Sequence, residues 1–179
     1  MALQFNYHSL LLVVVLATTT FLDMATCSIE LKETKLSLYF QDFSAGPNTS
    51  AVPIAGIAGK LWRVDQFGTV IVTDDRLTVA PSPKSATVGR GQGLVVTSSL
   101  DGHNAHVLLS IVFTNRRYNG STLEIQGTSR QFEAVREVSV VSGTGKFRFA
   151  RGYATFETYS VDPTNLYAVI RFNITVQHK

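Results

Sequence analysis

Cysteine is nearly absent from this chain. Among 179 residues only Cys27 carries a thiol, so no disulfide can form within it. The fold must be held by its core alone. Long apolar runs are missing too. The strongest, Leu10 to Leu16 (LLLVVVL), is too short to span a bilayer, and nothing downstream is more apolar. Charge of one sign is not concentrated either. The chain has 16 Lys+Arg against 13 Asp+Glu, and Arg116-Arg117 is the only adjacent basic pair. Nucleic acid calls for a dense basic face, and no such footprint is present. A mild attraction to acidic cell-wall polysaccharide stays open beside the plainer reading of a solvated surface. No helical stripe, internal repeat or low-complexity tail is found.

The apolar run near the N-terminus is followed by Thr18–Thr20 and then by Ala25-Thr26-Cys27, small residues suited to a signal-peptidase cut before Ser28. Residues 1–27 therefore read as a signal peptide and 28–179 as one domain of adequate size for its own core. The competing reading of 1–27 is a buried N-terminal helix. Secretion to the extracellular space is the expectation. Sequons at Asn48, Asn119 and Asn173 fit a secreted glycoprotein. Asn48 and Asn119 fall in expected loops or turns, whereas Asn173 falls inside an expected strand.

The dominant period is two. Leu36, Leu38 and Phe40 alternate with Ser37, Tyr39 and Gln41, and Ile170, Phe172, Ile174 and Val176 with polar partners. Phe147, Phe149 and Tyr153 are read the same way. Asp101-Gly102 and Asn119-Gly120 mark tight turns. Eight strands are expected, near 35–43, 67–74, 87–97, 105–115, 121–127, 136–141, 146–159 and 167–177. Residues 44–66 are expected to form a long loop. Closing eight antiparallel strands into a barrel removes the exposed edges and leaves room for one small ligand. The run His106–Phe113 (HVLLSIVF) is apolar on both faces and predicts a barrel wall covered from outside, as by a neighbouring subunit.

Two motif fragments fail on inspection. Gly89, Gly91 and Gly93 miss the dinucleotide spacing, and Gly145-Lys146 is followed by Phe147 where a phosphate loop needs Ser or Thr. His103 and His106 lack a third metal ligand nearby. Asp74 and Asp75, as strand neighbours, point to opposite faces and are read as loop anchors at a strand end.

Asp42 shares a face with Leu36, Leu38 and Phe40, so its carboxyl either loses solvation and rises in pKa, or ends the strand and caps the turn at Phe43-Ser44. Arg136 shares a face with Val138 and Val140. Its guanidinium suits a phenolate oxygen, or else a salt bridge with Glu133 or Glu137. Arg151 is either a pocket residue or a snorkelling one.

The wording of REVSVVSGTGKFRFARGYATFET at 136–158 closely resembles the signature block of the plant dirigent proteins. LSLYFQDF at 36–43, FGTVIVTDDRLT at 67–78, VGRGQG at 88–93 and YNGSTLEIQG at 118–127 agree, in the family's order. The resemblance implies an eight-stranded antiparallel barrel of the lipocalin and allene-oxide-cyclase kind, assembled as a trimer. It implies stereoselective steering of phenoxy-radical coupling of monolignols such as coniferyl alcohol towards lignans. A separate laccase or peroxidase would supply the oxidation, and no cofactor or metal is called for. It also assigns Asp42 and Arg136 to the pocket. The chain departs from lignan-forming members at Ser129, where they have a second pocket Asp, at Thr97, where they have Tyr, and in lacking their disulfide. Ser129 can anchor a phenolic oxygen but cannot act as a carboxylate acid–base. The alternative expectations are therefore a non-oxidative quinone-methide cyclase or dehydratase, or a non-catalytic phenolic-binding defence protein.

Overall fold

The structure, a computed structural model, describes residues 31–179. The expected signal peptide and Cys27 lie outside the described residues. The chain runs β1 (Lys32–Phe43), β2 (Ala51–Ala55), β3 (Val70–Thr78), β4 (Thr87–Thr97), β5 (Asn104–Phe113), β6 (Thr122–Arg130), β7 (Val135–Gly143), a 3₁₀ turn (Gly145–Phe147), β8 (Arg151–Asp162) and β9 (Tyr167–His178). All pairings are antiparallel. The order β1-β9-β8-β7-β6-β5-β4-β3 closes on itself through a β1–β3 pairing, which makes an eight-stranded barrel. Among the described residues no helix is long and apolar enough to cross a membrane.

Alternation decides what faces inward. Leu38 and Phe40 of β1, Val107, Leu109 and Ile111 of β5, and Phe172, Ile174 and Val176 of β9 all join one buried core. Gly102 and Gly120 both adopt φ +76°, as their turn dipeptides require. On the outer wall, Val52, Val72, Leu94 and Leu108 stand in register across β2–β5. Leu108 remains 40% exposed there. This is the outward apolar side expected for β5.

Two expectations need correcting. Residues 51–55, expected in a loop, form β2, which adds to the edge of β3 where β1 has parted from it. Pro53 disguised this strand, because Pro removes a ladder donor and is tolerated only at an edge or bulge. Here it sits beside a register shift. The strand expected at 146–159 starts only at Arg151. Phe147 is fully buried in the 3₁₀ turn, whereas Phe149 has φ +63° and is 62% exposed. The apparent period of two at 147 and 149 thus joined a core residue to a surface one.

The barrel interior is layered. Phe113, Tyr118 and Phe147 plug one end, with ring centroids 5.0–5.3 Å apart. Phe40, Phe156 and Phe172 form a second aromatic layer, the last two stacked at 4.8 Å. Gly91 makes room for this layer: a Cβ there would stand 2.2 Å from Phe40 Cε1. Because Phe40 is itself hemmed in, we expect Gly91→Ala to lower unfolding free energy by about 1–3 kcal/mol, read from urea denaturation. An unchanged midpoint would mean that the ring moves freely.

Candidate functional site

Beyond the second aromatic layer, the barrel opens into a cavity of about 740 Å³. Its wall is mostly apolar, with Phe40, Ile71, Val107, Leu109, Phe156 and Ile170 contributing. Trp62 and Val64 reach over the mouth from the β2–β3 connection. That connection is pinned from below: Thr97 Oγ1 donates to the Val64 carbonyl at 2.6 Å, and Gln131 Nε2 donates to it at 2.9 Å.

Asp42, Ser129 and Arg136 all line this one cavity. β1 keeps Asp42 on the inward face with Leu38 and Phe40. β6 carries Ser129, buried beside Ala105 of β5. β7 carries Arg136 inward, two residues ahead of buried Val138. No ion pair forms between Arg136 and any described carboxylate; Glu133 pairs instead with Arg130 at 3.1 Å. Arg136 Nη1 donates to Thr158 Oγ1 at 3.0 Å. Burial without a counter-charge pulls the Arg136 pKa below its ordinary value.

The carboxylate opposite Asp42 escaped sequence reasoning. The register that pairs Phe40 with Leu77 and Gln41 with Arg76 brings Asp75 beside Asp42 where the two strands part. Asp75 is not at a strand end, because β3 runs on to Thr78. Its inward parity with Leu77 was the missed signal. Asp74 points outward and bonds Arg90 at 2.5 Å. Both residues do anchor the loop before β2: the Asp74 N–H donates to the Ser50 carbonyl at 2.8 Å, and Asp75 accepts from Ser50 Oγ.

The two buried carboxyls are treated differently by their surroundings. Asp75 accepts hydrogen bonds from Ser50 Oγ on one oxygen and from Thr73 Oγ1, at 2.8 Å, on the other. Burial still raises its pKa, but these donors favour the anion. Asp42 has less support: Ser44 is its one side-chain donor, and its Oδ1 is buried without a partner. Burial first, and the charge of Asp75 second, push Asp42 up to about 7. The two titrate as a coupled pair, in which the donors to Asp75 favour the anion there.

The remaining candidates fall elsewhere. Arg151 is exposed outside the barrel, with Nη1 donating to the carbonyls of Val141 and Ala150. His103 pairs with Asp101 on the surface at 3.6 Å. No cluster of three or more metal-ligating side chains occurs among the described residues. Asn48 and Asn119 are exposed in turns, as a glycan requires. Asn173 lies within β9 and its amide nitrogen donates to Glu157 at 3.0 Å, which occupies the atom a glycan needs.

A closed barrel with one open mouth, apolar walls and a few convergent polar groups defines a small-molecule site. The chain belongs to the dirigent family: the model described as dirigent-like protein matches residues 33–177. It is 38% identical over 168 residues to pterocarpan synthase 1 of Glycine max, covering 91% of this chain and 90% of that protein. It is 41% identical over 150 residues to pterocarpan synthase 1 of Glycyrrhiza echinata, covering 83% and 80%. A solved pterocarpan synthase dirigent protein superposes with a TM-score of 0.77 at 41% identity, covering 85% of this chain and 88% of that one. The eight-stranded barrel expected from the sequence is thus the family fold.

Proposed function

We propose that this protein is a secreted catalyst of proton transfer in phenolic metabolism, closing a ring on a quinone methide without oxidising it. The observation that carries this reading is the pairing of Asp42, raised in pKa and with Oδ1 buried without a partner, with a donor-held Asp75 in the cavity that also contains Arg136, which has no counter-charge. The similarity to proteins named as synthases supports it over pure radical steering.

In the ring-closing step, the ionised form of Asp42 takes the proton from the attacking hydroxyl. The new C–O bond forms at the methide carbon, and an electron pair moves onto the former carbonyl oxygen. Arg136 stabilises that phenolate, with Ser129 as a further oxygen anchor. Asp42 then returns the proton, and no electrons are gained or lost overall. A carboxyl with a pKa near 7 serves both transfers near neutral pH. The apolar wall excludes water and presents one face of the ring system. A neighbouring copy seated on the Val72–Leu108 row would give the trimer expected of the family.

The runner-up is stereoselective coupling of phenoxy radicals made by an external laccase or peroxidase, favoured by the dirigent family assignment itself. Two incubations followed by chiral chromatography separate the readings. In the first, an ortho-quinone methide bearing a pendant phenol is generated with the purified protein; a ring-closed product in enantiomeric excess supports cyclisation. In the second, coniferyl alcohol is coupled by a laccase. Excess handedness there, with a racemic first incubation, would replace ring closure by radical steering.

A further inference from the structure

Six of the sixteen basic residues, scattered along the sequence, gather at the plugged end of the barrel. Arg116 and Arg117 lie in the β5–β6 turn, and Lys146 Nζ donates to the Arg117 carbonyl at 2.6 Å. Lys146 belongs to the 3₁₀ turn, directly before the β7–β8 corner. Arg148, Phe149 and Arg151 line a shallow hollow there with Ser142 and Gly143. Lys179 Nζ stands 4.7 Å from the centre of the Phe149 ring. None of these cations takes part in an ion pair among the described residues. Nearby acids are occupied: Glu124 accepts from Ser110 and Thr122, and Glu33 bridges Lys35.

Phe149 is the unusual member. A bulky residue with φ +63° is strained, since its Cβ crowds its own backbone. The strain is imposed by its neighbours, because Phe147 and Ala150 are both fully buried and the chain must reverse between them. The result is a large aromatic ring held outward into solvent, in a hollow that Arg148 and Arg151 also line. Nothing in the core or in the cavity at the far end uses it.

We propose that this hollow binds an acidic sugar, one uronate unit of an anionic polysaccharide. The C–H face of a pyranose ring is weakly positive and apolar, and it stacks on an aromatic face. A ring carboxylate fits the planar fork of an arginine. One exposed aromatic, Phe149, beside the Arg148 guanidinium, which makes no hydrogen bond or ion pair among the described residues, supplies both halves of that recognition. Nucleic acid is the poorer fit, because single-strand sites stack successive bases on several aromatics along a basic groove. The site lies at the opposite end from the mouth, so a protein tethered there keeps its cavity open.

The test is calorimetric titration of the purified protein with a short oligogalacturonate at about 0.15 M salt, with its methyl ester and with polyphosphate as controls. Binding is expected for the free acid and not for the ester. Arg148→Gln should weaken it by about tenfold. Phe149→Gly should weaken it as well while raising the melting temperature, because glycine accepts the backbone angle without strain. That rise separates lost recognition from lost folding. Unchanged affinity in Phe149→Gly, equal binding of the ester, or equally tight polyphosphate binding that ignores both substitutions would each overturn the proposal. The last result would leave only general charge attraction.

Discussion

Asp42→Asn is expected to abolish ring closure while making the protein more stable. The amide is nearly the same size, so the cavity is preserved, but it can neither accept nor return a proton at neutral pH. Removing a positioned general acid–base costs roughly 10²–10⁴-fold in rate. Stability moves the other way. Asp42 has a folded pKa of about 7, raised from an ordinary 3.8 by burial and by Asp75. Between those two values the folded state binds more protons than the unfolded chain. Stability from this group is therefore full at low pH and falls as pH rises from about 4 to about 7. The Asn variant lacks that decline, so its melting temperature should exceed that of the parent above pH 7 and match it more closely near pH 4. The rate–pH profile of the parent should likewise turn near neutrality. Retained turnover in Asp42→Asn would remove any proton role for this residue and return the weight to radical steering. A variant that is both inactive and less stable would show a structural role in place of a catalytic one.

Phe147→Ala is expected to be strongly destabilising. Its ring is fully buried and packs on Phe113 and Tyr118, with His178 at 5.2 Å. Truncating a buried Phe removes its transfer free energy and leaves a void that the closed barrel cannot collapse into, about 3–5 kcal/mol together. For a domain of this size the melting temperature should drop by roughly 10 °C. The plug lies at the far end from the mouth, so the variant, once folded, should bind a phenolic ligand with near-parental affinity. A loss below about 1 kcal/mol would show that the plug repacks.

The two predictions draw on different kinds of information. Asp42 was visible in the sequence because strand period alone places it with Leu36, Leu38 and Phe40 on one face. Arg136 was visible by the same rule, through Val138 and Val140. The candidate trio came together because each of the three strands keeps its alternation to the mouth. The turn glycines at 102 and 120 and the barrel class were equally legible. These features are local: they depend on residues within a few positions of one another, and the pleat converts spacing into direction.

What the sequence could not decide was non-local. Asp75 became part of the site through the β1–β3 closure, a pairing between segments far apart in the chain. No spacing rule joins residues 42 and 75. Pro53 hid β2 because an edge strand tolerates what an interior strand does not, and edge status belongs to the finished sheet. The repeat of Phe147 and Phe149 looked like a strand. Only packing of the plug forced one ring inward and left the other exposed on a strained backbone. The same folding gathered scattered cations at one pole. The chain by itself therefore determined the eight barrel strands in outline, their inward faces and the family, because those follow from short-range alternation and wording. Tertiary structure alone decided which carboxyls meet, which aromatic is left in solvent and where the charge collects, because those follow from how the barrel closes.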